Sequence, residues 1–69
     1  MTTTEYAVTG MTCVHCERSV TAEVIQVDGV TAIDVSAATG TLIVTSSAPL
    51  DDDAVIAAVD EAGYQAVRA

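Results

Sequence analysis

The two cysteines of this chain, Cys13 and Cys16, stand three residues apart in Gly10-Met11-Thr12-Cys13-Val14-His15-Cys16, a segment that also holds its one histidine. Thiolates and imidazole bind soft or borderline cations such as Cu(I) and Zn(II), whereas carboxylates and carbonyls suit Mg and Ca. Three chemistries use two cysteines at this spacing. The first is metal binding: Cu(I) is a closed-shell soft ion that accepts two thiolates in a near-linear pair, with room for a weak third ligand. The second is thiol–disulfide exchange, but no Trp precedes the pair, and the one proline, Pro49, lies far along the chain. The third is structural zinc, which wants four protein ligands; the segment offers at most three, so a closed site would need two chains. A lone cysteine is commonly a small core residue. A close pair in a glycine-bounded loop points to chemistry instead.

The elements that must position this segment are legible from periodicity. Residues 5–9 alternate as a strand with Tyr6 and Val8 on one face, and Gly10 ends it. From about Val14 the period changes: Cys16, Val20, Val24 and Val27 form one stripe of a helix, with Gly29 as its expected stop. Residues 30–36 and 41–45 read as two strands joined at Thr39-Gly40, a hairpin. Ser46 to Pro49 is a loop. Asp51 is a good N-cap for a second helix, Leu50 and Val55 fit a hydrophobic staple, and Asp52 and Asp53 lie where the helix dipole favours negative charge. Val55, Ile56, Val59 and Ala62 form its expected buried stripe, Gly63 ends it, and residues 64–67 make a last short strand. The order β-α-β-β-α-β predicts an α+β, ferredoxin-like sandwich, with a four-stranded antiparallel sheet and two helices on one face. This places the cysteine segment at a strand-to-helix turn. Helix N–H groups and the dipole there lower thiol pKa values and offset the charge of a dithiolate.

With 69 residues, the chain is expected to be a single domain, 1–69, with a core small enough to lean on a metal, a disulfide or a partner. Half the residues are hydrophobic (51%), mostly Ala and Val, which excludes disorder and predicts an aliphatic core. Ten acidic residues against two arginines and no lysine give a net charge of -8. That charge argues against nucleic-acid binding and against anionic membrane surfaces. Its first reading is plain solubility, and its second that a protein partner docks through a basic face. The N-terminal segment has no basic start followed by an apolar stretch, and no run is long enough to span a bilayer. The expectation is a cytoplasmic protein without membrane insertion, where close cysteines mean metal or redox chemistry rather than a staple.

Gly10-Met11-Thr12-Cys13-x-x-Cys16 resembles the metal-binding loop of the heavy-metal-associated (HMA) domain family. The likeness extends to Val20 and Val24, to Gly29-Val30, to Ile33-x-Val35 and to Ala62-Gly63-Tyr64. The family's fold is the βαββαβ sandwich, and its members are copper chaperones, soluble domains of metal-exporting P-type ATPases, and mercury- or zinc-handling relatives. The resemblance implies that Cys13 and Cys16 ligate the metal and that Met11 folds into the core to prop the loop. A histidine before the second cysteine is similar to bacterial copper chaperones of the CopZ type. There His15 would be a weak third ligand or a shield for the thiolates; the alternative is a solvent-exposed residue at the helix start. Tyr64, in the loop before the last strand, would screen the site or simply anchor that strand. Thr12, where zinc-exporting relatives often place an acidic residue, favours Cu(I), though Hg(II), Cd(II) or Zn(II) would use the same two ligands. The reading that follows is a Cu(I) chaperone, not an enzyme, that passes copper to the metal-binding domain of a copper-transporting P-type ATPase. A Cu-bridged homodimer is a second arrangement that two such loops allow. A small dithiol oxidoreductase is the alternative from the enzyme class.

Overall fold

Threonine and valine, branched at Cβ, favour the pleated backbone, and they dominate the first strand of the computed structural model, which describes residues 1–11 and 14–69. Strand β1 (Thr2–Thr9) buries Thr4, Tyr6 and Val8 and exposes the residues between them. It begins three residues before the expected start, because Thr2, Thr3 and Thr4 pair with Ser46, Thr45 and Val44.

Helix α1 (Val14–Val24) buries Cys16, Val20 and Val24, the expected stripe. It stops five residues short of Gly29. Beyond it the Gln26 and Val27 N–H groups reach back only three residues, to Glu23 O at 3.3 Å and Val24 O at 3.0 Å. The Gln26 side chain donates to Ala22 O at 3.0 Å, satisfying a last-turn carbonyl. Val27 still packs against the core, so the apolar stripe outlasts the helix.

Strands β2 (Val30–Ser36) and β3 (Thr41–Ser46) form the expected hairpin, with Leu42 and Val44 buried. Helix α2 (Asp52–Glu61) is capped by Asp51, whose Oδ1 accepts from the Asp53 N–H at 3.0 Å. Val55 and Val59 are fully buried, while Ile56 and Ala62 are half-buried at the margin of the stripe. Strand β4 (Gln65–Arg68) starts one residue later than expected, leaving Tyr64 in the preceding turn.

The four strands form one antiparallel sheet in the order β2-β3-β1-β4. The inward residues of the strands meet the stripes of α1 and α2, which pack on each other, and the fold is the ferredoxin-like sandwich. A polar clamp holds the first turn of α2 to the sheet. The buried Tyr6 hydroxyl donates to Asp52 Oδ1 at 2.8 Å, and Arg68 Nη1 donates to Asp52 Oδ2 at 2.6 Å. Among the described residues, no helix is long and apolar enough to cross a membrane.

Candidate metal centre

β1 delivers the chain to Gly10 and α1 picks it up at Val14, so the cysteine segment bridges the end of a central strand and the start of a helix. Thr12 and Cys13 lie outside the described residues, and with them one of the two expected ligands and the threonine that favoured Cu(I). The other expected residues are placed as follows. Met11 is 8% exposed and belongs to the core cluster, the position expected of a residue that props the loop. Cys16 lies in the first turn of α1 on the buried stripe, 6% exposed. His15 and Val14, beside it, face solvent, Val14 with 59% of its surface.

Tyr64 is brought to this loop from the other end of the chain. The α2 helix ends in a Schellman turn: Gly63 N–H bonds Asp60 O at 2.9 Å and Tyr64 N–H bonds Val59 O at 3.2 Å, with Gly63 at φ 94°. The β1–β4 register then sets Thr9 opposite Gln65, so Tyr64 meets Gly10. The approach is close: a Cβ added at Gly10 would lie 3.3 Å from Tyr64 Cδ1. Gly10 is also at φ 93°. A side chain there would be strained on both counts. The half-buried Tyr64 ring therefore lies against the first residue of the cysteine loop.

The sequence reasoning passed over Glu17. Its Oε2 accepts the backbone N–H of Ala37 at 2.6 Å and so ties the first turn of α1, next to Cys16, to the end of β2. The only signal for it is an acidic residue in a first helical turn; its partner lies twenty residues away. Among the described residues, no three His, Cys, Asp or Glu side chains gather into a larger ligand set.

The heavy-metal-associated domain model matches residues 5–65. The chain belongs to the heavy-metal-associated domain family. No curated protein matches this HMA domain, but solved structures do. It is similar to the copper binding domain from HMA7, a P-type ATPase, at 28% identity over 100% of this chain and 95% of that one, with a TM-score of 0.89. It is similar to the CopZ metallochaperone at 28% identity, covering 96% and 100% of the two chains, with a TM-score of 0.88. Oxidized MerP from Ralstonia metallidurans CH34 matches at 31% identity over 97% and 94%, with a TM-score of 0.87. The HMA domain thus shares its fold with a metallochaperone and with a transporter's copper-binding domain.

Proposed function

We propose that this HMA domain is a Cu(I) carrier that binds the ion through the thiolates of Cys13 and Cys16 and gives it up to the CxxC domain of a copper-exporting P-type ATPase. The observation that carries the reading is Cys16 in the first turn of α1, at the end of a loop supported by buried Met11 and flanked by Tyr64, in a member of a metal-handling family. The dipole of α1 favours negative charge at that turn and so offsets the cost of holding a dithiolate. An ion with two thiolate ligands can accept an incoming thiolate before an old one leaves, so it passes between sites without being released bare. No covalent bond in a substrate is made or broken, so the activity is transfer rather than catalysis. On this reading His15, which is exposed, serves as a shield or weak third ligand, and the carrier works in the cytoplasm, where thiols stay reduced.

The test is a competition titration against a Cu(I) chelator under reducing conditions. The chain should hold one Cu(I) per chain, or per pair of chains if a copper-bridged dimer forms, and Cys13→Ser with Cys16→Ser should abolish it. Retention of copper by the double variant would reject the ligand assignment. A higher affinity for Hg(II), Cd(II) or Zn(II) at fixed thiol competitor would assign the same ligands to another cargo. Reduction of insulin disulfides would point to the dithiol oxidoreductase instead.

A further inference from the structure

A groove of about 410 Å³ runs between α2 and β4, next to the polar clamp at its Asp53 and Val67 end and on elements that carry none of the expected ligands. β4 is the last strand of the sheet, so among the described residues its outer side has no neighbouring strand. Such an edge is a template for an added strand. Apolar surface from Ile56, Ala57, Ala66 and Val67 lines the groove, and Val67 is 62% exposed. Its rim carries Asp53 and Asp60. Seven residues apart, these carboxylates lie on one face of α2, about 10 Å from each other along the helix axis.

Among the described residues, no cation meets the charges of the rim. Among the described residues the one salt bridge is Arg68 with Asp52, so the cation on β4 is engaged elsewhere. Asp60 and Glu61 occupy the last turn of α2, which carries no basic residue. The helix dipole favours cations at that end, and two carboxylates there oppose it. An external lysine or arginine beside Asp60 would meet both the carboxylate and the terminal carbonyls.

We propose that this groove binds an extended segment of a partner protein in which an apolar residue has a lysine or arginine two positions to either side, so that all three side chains share one face of the strand. The segment adds to the edge of β4, sets its apolar side chain against Ile56 and Ala66, and reaches Asp53 and Asp60 with its cations. Charge decides against the other occupants. A second copy of this chain would bring a net charge of -8 to another of -8, with no lysine to offer. An anionic lipid surface would be repelled for the same reason. Gln65 lines the groove and pairs with Thr9, next to Gly10 at the start of the cysteine segment, so a partner engaged at that segment has the groove within reach. The inference does not depend on which ion the loop carries.

The experiment is a titration of the 15N-labelled full chain with a synthetic heptapeptide of threonine that bears valine at its centre and lysine two positions to either side, and with its glutamate counterpart, followed by NMR. Expected are saturable shifts at Asp53, Ile56, Asp60 and Gln65–Arg68 that weaken with salt, and no response to the glutamate peptide. The Asp53→Asn, Asp60→Asn variant should bind about tenfold more weakly, the product of two exposed ion pairs. Ala57→Lys, which sets a cation between the two carboxylates on an exposed position, should bind no peptide. Shifts spread evenly over Glu23, Asp28 and Asp34, or undiminished binding by the asparagine variant, would overturn the proposal. Concentration-dependent shifts at the groove without peptide would assign it to a second copy and overturn it as well. Copper retention by each variant, read separately, keeps a failure here distinct from a failure of the carrier reading.

Discussion

Met11 stands two residues before Cys13 in the sequence, so its sulfur admits two uses, a hydrophobic support or a ligand. Its burial within the core cluster, at 8% exposure, favours the support. Met11→Leu keeps the volume and removes the sulfur; it should cost less than about 1.5 kcal/mol of stability and leave copper affinity unchanged. Met11→Ala should cost about 2–5 kcal/mol by urea unfolding. A large loss of affinity in the leucine variant at unchanged stability would make the thioether a ligand. Gly10 is the second decisive residue. Its φ of 93° strains any L side chain, and a methyl group there would press on the Tyr64 ring at 3.3 Å. Gly10→Ala is expected to destabilise the fold by about 1–3 kcal/mol and to move the Tyr64 ring signals in an NMR spectrum. The position of Tyr64 beside Gly10 was readable only through family likeness. Nothing in the spacing of residues 10 and 64 announces that they touch; the Schellman turn and the β1–β4 register bring them together.

The elements differ in how plainly the sequence marks them, for physical reasons. α2 is bounded by side chains that act locally, Asp51 at one end and Gly63 at the other, so both ends could be read directly. The end of α1 could not, because Val27 continues the apolar stripe after the hydrogen bonds have tightened to three-residue closures. The first residues of β1 are three threonines, which show no alternation of polarity. Hidden too was the clamp between β1, α2 and β4, whose partners are 46 and 16 residues apart. The clamp makes stability depend on pH at both extremes. Burial, then the hydrogen bond to Asp52, raises the Tyr6 hydroxyl from 10.0 to about 12. The unfolded chain ionises this group first, so its contribution is whole below pH 10 and is lost as pH rises to about 12. Asp52 is held below the usual carboxylate range by the Tyr6 hydrogen bond first and by Arg68 second. Its contribution is present above the unfolded value and is lost as pH falls through the lowered one. Tyr6→Phe should cost about 1 kcal/mol at neutral pH, flatten the alkaline loss and weaken the acid one, as read by urea unfolding across pH.

At the scale of the molecule, the chain is a small sandwich whose cysteine loop lies at one end of a central strand and whose charge is strongly negative. The fold was legible almost throughout, because alternation in the strands and the 3.6 period in the helices agree with each other and with the turns. The cysteine pair was legible by spacing alone, but what stands around it depends on packing across the whole chain. A charge of -8 makes encounter with a basic recipient fast at low salt and slower as salt screens it. The carrier reading therefore joins a local claim about two thiolates to a global one about docking. Both are met in a single measurement: mixing the copper-loaded chain with the apo CxxC domain of a copper ATPase, beside a Cu(I) chelator that traps released ion. Copper is expected to equilibrate with the recipient faster than the chelator captures it, and more slowly in high salt. The Cys13→Ser, Cys16→Ser variant should deliver none. Transfer that proceeds only through the chelator-trapped pool, or that survives loss of both cysteines, would contradict the account.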